Sequence, residues 1–132
     1  MNSCPLALRY VCFSVVLGLV QIVLSSHAAS LQRGYRMTAT AREALPPLTG
    51  VAGRLERALR NFGETFPLFL AAVWLAVTLG HCEGTTVVGC RMYFWARIAY
   101  LALYAFGVPL IRSLVWNVAT LGIVVILVGT WA

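Results

Sequence analysis

The stretch that decides the fold is RLERALRNFGETFP, residues 54–67, which continues without a break into the apolar run 68–79. On a helix with about 100° per residue, five polar side chains of this stretch fall on one stripe within roughly 60° of Arg57. They are Arg54, Arg57, Arg60, Asn61 and Glu64. The stretch therefore predicts a helix that carries a charged stripe into an apolar layer.

The depth of this stripe matters for its interpretation. At a rise of about 1.5 Å per residue, Glu64 lies roughly 10 Å further along the helix than Arg57. Charged groups at such a depth in a bilayer are costly and usually face a protein interior, a partner or a water-filled site. Arg54 and Arg60 could instead snorkel to lipid headgroups. Asn61 and Glu64 have no lipid phosphate to seek, so we expect the stripe to face protein or ligand.

The composition indicates an integral membrane protein. The chain has 132 residues, of which 61% are hydrophobic, and its mean hydropathy is +0.85, far above the usual range for soluble domains. This length allows about four spanning helices of roughly 20 residues each and leaves no room for a separate soluble domain. We therefore expect one membrane domain, residues 1–132, with an all-α, four-helix bundle fold.

The apolar runs predict helices at about 5–26, 54–80, 90–106 and 110–131, with a connector at about 27–53. Adjacent prolines at 46 and 47 exclude helix in that part of the connector, and Gly50 marks a turn. The first run could also be a cleaved secretory signal, since Arg9 precedes its apolar core and small residues follow it. We expect a retained helix because of the positive charges on the connector that follows it.

Positive charge is concentrated on and beside the connector. Six arginines stand there against two glutamates, Glu43 and Glu56. The arginines are Arg33, Arg36, Arg42, Arg54, Arg57 and Arg60. The positive-inside rule places this side in the cytoplasm and the N-terminus on the opposite face. Cleavage of the first run would require these arginines to be translocated, which makes a retained helix the better prediction.

The third helix carries a polar stripe of its own. Tyr93, Tyr100 and Tyr104 all fall within about 60° of Arg97. An interfacial tyrosine belt would account for Tyr104 near the helix end. Arg97, however, lies about nine residues from that end, roughly 14 Å deep, beyond easy reach of a headgroup. We expect this stripe to face polar partners inside the protein.

The cysteines give a weaker prediction. The chain has four of them, without a CxxC pair or a histidine at metal-ligand spacing: Cys4, Cys12, Cys82 and Cys90. A disulfide between Cys82 and Cys90 would form only if their loop faced an oxidising compartment, and we expect unpaired thiols. His81 and Glu83 have no evident partners, so we expect a solvated loop and no metal site.

Three helices contribute polar side chains at a similar depth. These are Arg57, Asn61 and Glu64, then Arg97, Tyr100 and Tyr104, and finally Arg112 with Ser113. Arginine binds carboxylates bidentately, a carboxylate binds an ammonium group, and hydroxyl and amide groups fix orientation. The set predicts a pocket for a small ligand that carries carboxylates and an amine. Glutathione has this charge pattern, although composition alone does not require it.

Several of these motifs resemble the MAPEG family, the membrane-associated proteins in eicosanoid and glutathione metabolism. Residues 57–71, RALRNFGETFPLFLA, are similar to the signature of the family's second helix. Further similarities are Pro46-Pro-Leu-Thr-Gly50, Arg97-x-x-Tyr100-x-x-x-Tyr104 and Gly-x-Pro-x-x-Arg112-Ser113. The overall look is closest to small bacterial members, which implies a bacterial inner membrane with the site toward the cytoplasm.

The resemblance implies that glutathione is a co-substrate. Its binding residues would be Arg57, Asn61, Glu64, Tyr100 and Tyr104, with Arg97 beside them. Arg112 would be the catalytic residue, because a cation beside a thiol lowers its pKa from about 8.5 toward neutrality. Family members are homotrimers whose sites lie between subunits and open to lipid. The implied function is a glutathione-dependent transferase or peroxidase that acts on a lipophilic electrophile or lipid hydroperoxide.

The sequence departs from the family pattern at two places. Thr65 stands where some members carry a tyrosine, and the spacing from Tyr104 to Arg112 is one residue longer.

The alternative function is that of a non-catalytic relative that binds lipid or glutathione. A small drug or proton exchanger would need an acidic residue in its first helix, and residues 5–26 contain none. We find no nucleic-acid-binding motif and expect no such partner.

Overall fold

The structure is a computed structural model, and it describes residues 4–39 and 45–131. Its helices are α1 Pro5–Arg33, α2 Tyr35–Thr38, α3 Gly50–Thr78, α4 Thr85–Phe106 and α5 Pro109–Trp131. The described ranges contain no strand, so the all-α prediction is confirmed for them. Arg42 and Glu43, which entered the charge argument, lie outside the described residues.

Three of the described helices, α1, α3 and α5, are long and apolar enough to cross a membrane. On α1, Val16, Leu19 and Val23 are exposed, as expected for side chains that face lipid. α4 does not meet the same criterion and carries Arg91 and Arg97 along its length. The protein is therefore a helical membrane protein, and a count of four spanning helices stays a prediction.

α1 is longer than its apolar run, which ends near residue 26. It continues to Arg33, because polar side chains in its last turn are bonded to the connector. Gln32 Nε2 donates to Thr49 Oγ1 at 2.6 Å, and the Thr49 amide donates to Gln32 Oε1 at 3.2 Å. Arg33 Nε donates to the carbonyl oxygen of Pro46 at 2.8 Å. The predicted connector at 27–53 is therefore too long at both ends, since α3 also begins early.

α4 and α5 are antiparallel neighbours joined by a two-residue turn. Gly107 ends α4 with φ 76°, a left-handed conformation that glycine adopts without strain. Pro109 then occupies the first position of α5, where its missing N–H costs nothing. This turn brings the first residues of α5, including Arg112, back alongside the end of α4.

The core holds these helices in fixed register. The Phe69 ring of α3 stacks on the Tyr93 ring of α4, with centroids 4.0 Å apart. α5 buries Ile126, and α1 buries Ala7 in the same cluster. Further along α1, Gly18 packs against the Phe62 ring, where a methyl group would lie only 2.9 Å from a ring carbon. α3 is thus clamped between α1 and α4, with its polar stripe nearby.

A disulfide joins Cys4, at the start of α1, to Cys82 in the α3–α4 link. The prediction of unpaired thiols is therefore wrong for these two residues, and the alternative Cys82–Cys90 pairing is wrong as well. Cys90 is buried on α4, and both it and exposed Cys12 are free thiols. Helix packing brings together two cysteines that are 78 residues apart in sequence, a proximity that local spacing cannot reveal.

The disulfide predicts a labelling pattern. In denatured, non-reduced protein, a maleimide should react with Cys12 and Cys90 only, and reduction should add Cys4 and Cys82. Disulfides persist in oxidising compartments, so the same pattern from membranes prepared without reductant would place this end of the bundle away from the cytoplasm. Cys4→Ser is the matched control, because it should leave Cys82 open to labelling. Four labelled cysteines without reduction would exclude the bond.

Candidate functional site

Five of the seven predicted site residues form one connected set across three helices. They are Asn61 on α3, Arg97, Tyr100 and Tyr104 on α4, and Arg112 on α5. Arg97 Nη1 donates to Asn61 Oδ1 at 2.8 Å, and the Arg97 guanidinium lies 5.2 Å from the Tyr100 ring centroid. The Tyr100 and Tyr104 rings are 5.4 Å apart. The Arg112 guanidinium lies over the Tyr104 ring at 4.5 Å.

The α4 stripe faces the protein interior, as its periodicity predicts. Tyr93 is fully buried, Arg97 is only 2% exposed, and Tyr100 is buried. Tyr104 and Arg112, nearer the helix ends, are half-buried. The set thus passes from a buried cation to a more accessible one.

A small cleft lies at the accessible end of this set. Its volume is about 220 Å³, and its lining residues are Asn61, Tyr100, Arg112, Ser113, Trp116 and Asn117. Ligand pockets are commonly larger, about 300 Å³ or more. The cleft therefore has room for only part of a ligand of ordinary size.

Arg57 and Glu64 do not join the connected set. Both are exposed on α3, as is Arg60, and in the described part of the chain no ion pair links Glu64 to either arginine. Unpaired charges on a membrane helix are costly. In the described chain, this face of α3 therefore presents exposed charges that the other helices do not cover.

Arg54 contacts protein instead of snorkelling to lipid. It is half-buried, and its Nε donates to the carbonyl oxygen of Ala105 at 3.2 Å. That carbonyl belongs to the last turn of α4, where a cation is favourable because the helix end carries partial negative charge. Arg54 thus ties α3 to the turn that positions Arg112.

Sequence reasoning missed two contributions to the site. Thr65 was noted only as a departure from the family pattern, yet its Oγ1 accepts a hydrogen bond from Arg97 and lies 3.2 Å from the Tyr93 hydroxyl. Trp116 lines the cleft, and its Nε1 is buried without a hydrogen-bond partner in the described chain. Helical periodicity could have found Trp116, because it stands one turn after Arg112.

Comparison with known proteins supplies the family. The MAPEG family model matches residues 10–132. The chain belongs to the MAPEG family. Leukotriene C4 synthase of Bos taurus is 36% identical to it over 90 residues, and those of Mus musculus and Rattus norvegicus are each 34% identical. Each match covers 66% of this chain and 55% of the relative, so the chain matches about half the length of these curated relatives. The MAPEG resemblance inferred from the motifs is confirmed.

The chemical capacity of this MAPEG site follows from its donors. Arg112 presents a permanent cation beside a cleft that also contains a tyrosine hydroxyl and an asparagine amide. The guanidinium lies over the Tyr104 ring, and this cation–π contact favours its position beside the cleft. Such a site stabilises an anion, and the lining contains no carboxylate that would repel one.

Proposed function

We propose that this MAPEG chain is a membrane-embedded, glutathione-dependent transferase or peroxidase. The observation that carries the proposal is Arg112, stacked on Tyr104 and lining the same cleft as Asn61 and Tyr100. Family membership and the similarity to proteins named leukotriene C4 synthase support a transferase-like role in the membrane. Glutathione is the co-substrate that the family resemblance and the charge pattern both favour.

In the proposed reaction, Arg112 stabilises the glutathione thiolate. With a lipophilic electrophile, the sulfur forms a bond to carbon, and the leaving group departs with its electron pair. With a lipid hydroperoxide, the sulfur takes one oxygen and the lipid leaves as an alcohol after protonation. A second glutathione then converts the sulfenic acid of the first to glutathione disulfide and water. Both routes need the same activated sulfur.

The remaining predicted residues bind the rest of glutathione in this proposal. Arg57 takes a carboxylate and Glu64 takes the ammonium group, which gives the exposed charges of α3 their partners. Tyr100, Tyr104 and Asn61 orient the tripeptide, with Arg97 beside them. A homotrimer would cover the charged face of α3 and leave the cleft open to lipophilic substrate from the bilayer. Native mass spectrometry should then show three chains per particle.

Charge and the disulfide both support one orientation in the membrane. The arginine-rich end of α3 and the start of α5 lie toward the cytoplasm by the positive-inside rule. The Cys4–Cys82 bond is at the opposite end of α1 and α3, which suits an oxidising compartment there. We place the glutathione site on the cytoplasmic side accordingly. A bacterial inner membrane stays a prediction, since the relatives compared above are mammalian.

Titration calorimetry of the detergent-purified protein tests the proposed binding. Arg57→Ala and Glu64→Ala should each weaken glutathione binding by about tenfold or more, since each removes a charge-assisted contact worth roughly 1.5–3 kcal/mol. Arg91→Ala is the matched control, because Arg91 is an exposed arginine at the other end of α4. Affinities that stay within twofold of the wild type in both site variants would remove Arg57 and Glu64 from the site.

The alternative is a non-catalytic MAPEG protein that binds glutathione or lipid. Consumption of glutathione with cumene hydroperoxide or a lipophilic aryl halide separates the two functions. The enzyme should turn over at least one of them, and Arg112→Ala should slow that turnover at pH 7. Tight glutathione binding without turnover of either reagent would favour the binding protein.

A further inference from the structure

Arg97 is a buried permanent cation whose hydrogen bonds are made inside the chain. Its Nη1 donates to Asn61 Oδ1 at 2.8 Å, and its Nη2 donates to the Asn61 carbonyl oxygen at 2.9 Å. Nη2 also donates to Thr65 Oγ1. All three acceptors belong to one turn of α3. The guanidinium therefore binds that turn of α3, and Arg97 is not among the residues that line the cleft.

Aromatic rings surround the Arg97 guanidinium, and its Nε is buried without a hydrogen-bond partner in the described chain. Three ring centroids lie 5.2–5.7 Å from its guanidinium carbon, those of Tyr100, Tyr93 and Phe62. Aromatic faces attract a cation, and the attraction is strongest when the cation is desolvated. In the described chain no acidic residue pairs with it. Burying a charge in this way is expensive, and a methionine or leucine would fill the space at lower cost, which indicates a role beyond packing.

The hydrogen bond from Arg97 determines the orientation of the Asn61 side-chain amide. Arginine carries donors only, so the Asn61 atom that faces it must be the amide oxygen. This fixes the side-chain amide, whose orientation would otherwise be ambiguous. With Oδ1 occupied by Arg97, the two N–H donors of Nδ2 are left for other acceptors, and Asn61 is one of the residues that line the cleft beside Arg112. The adjacent positive charge also polarises the amide and strengthens those donors.

We propose that Arg97 is a positioning residue that acts through Asn61: it holds the Asn61 amide so that its N–H groups donate to the bound ligand next to Arg112. The inference rests on the proposed glutathione site, and it gives a specific role to Arg97, which the family resemblance places beside the binding residues. The ligand group that binds the Asn61 N–H groups is a hydrogen-bond acceptor, such as a carboxylate or peptide carbonyl oxygen. Thr65, on the same turn of α3, accepts a further hydrogen bond from Arg97.

A double-mutant cycle on the full-length protein tests this role, with glutathione titration as the readout. Arg97→Met and Asn61→Ala should each weaken binding by about tenfold, the loss of roughly one hydrogen bond to a charged group. The double variant should bind no worse than Asn61→Ala, because Arg97 has no ligand contact of its own to lose. Arg91→Met applies the same substitution to an exposed arginine on α4 and should leave affinity within twofold.

Asn61→Asp gives a second readout that does not depend on removing the buried charge. The new carboxylate would pair with Arg97, so the thermal midpoint should equal or exceed that of the wild type. Its second oxygen would then present an acceptor to the ligand where an N–H donor stood. Glutathione should therefore bind more weakly to Asn61→Asp than to Asn61→Ala, because Asn61 presents its N–H donors to the ligand while Arg97 holds its oxygen.

The outcomes separate this inference from the proposed function. If the wild type binds glutathione and the losses in the double variant add to about 100-fold, Arg97 contacts the ligand directly and the positioning role is wrong. If Arg97→Met is folded and binds like the wild type, the role is wrong too. Stronger binding by Asn61→Asp than by Asn61→Ala would reverse the assigned amide orientation. A wild type that does not bind overturns the proposed function and this inference with it.

Discussion

Arg112→Ala is expected to lower kcat for glutathione turnover roughly 30-fold at pH 7 while changing the glutathione Kd less than about fivefold. A thiol with a pKa of about 8.5 is only about 3% ionised at pH 7. A neighbouring cation that lowers this pKa to about 6.5 makes most of it thiolate. Arg112 is the half-buried cation of the cleft. Its removal should therefore abolish this increase in the thiolate fraction and should weaken glutathione binding only slightly.

The pH profile distinguishes thiolate stabilisation from general damage. The wild-type rate should change little between pH 7 and pH 9, because the thiol is already ionised. The Arg112→Ala rate should rise about tenfold per pH unit until it levels near pH 8.5, so the gap between the two proteins closes as pH rises. Arg112→Lys should be intermediate, since it keeps the charge and loses the planar stack on Tyr104. A constant gap at all pH values would assign Arg112 another role.

Gly122→Ala is expected to destabilise the protein by about 2 kcal/mol or more. α4 and α5 approach so closely that a methyl group on Gly122 would lie 2.7 Å from the Gly89 carbonyl oxygen and 2.9 Å from the Tyr93 amide nitrogen. Both neighbours are backbone atoms, so no rotamer change relieves the clash, and overpacking of this kind costs about 1–3 kcal/mol. Close contacts between small residues are how membrane helices associate. Chemical denaturation or a thermal midpoint in detergent measures the loss.

The control for Gly122 is the same substitution at Gly63. Gly63 lies inside α3 with no heavy atom within 4 Å of the added methyl group. Alanine is the better helix former by about 1 kcal/mol, so Gly63→Ala should be neutral or stabilising. Equal stabilities of the two variants would show that the α4–α5 crossing is looser than described. Because Tyr93 and Arg97 share α4, Gly122→Ala should also weaken glutathione binding.

Helical periodicity predicted which polar side chains share the buried face of α4 but not their contacts with α3. It grouped Arg97 with Tyr93 and Tyr100 correctly, because a 3.6-residue repeat fixes which side chains share a face. It could not show that Arg97 reaches Asn61 and Thr65, since that depends on the relative height of α3 and α4. The register comes from core packing, such as the Phe69–Tyr93 stack, which no single helix encodes.

The connector and the cysteines show the same limit. Apolar content ended α1 near residue 26, whereas the structure continues it to Arg33 through hydrogen bonds to residues 46–49. The Cys4–Cys82 bond joins two ends of the bundle that only tertiary packing brings together. Arg57 and Glu64 were assigned to the site from the motif, and their exposure on a single chain leaves that assignment as a proposal.

Titration of the purified wild-type protein with glutathione tests the central claim most directly. The account predicts saturable binding that is weakened by Arg57→Ala, by Glu64→Ala and by Asn61→Ala, and that is largely retained in Arg112→Ala. A folded wild-type protein that produces no binding heat at millimolar glutathione would contradict it, and the polar stripe of α3 would then serve assembly or lipid contact instead.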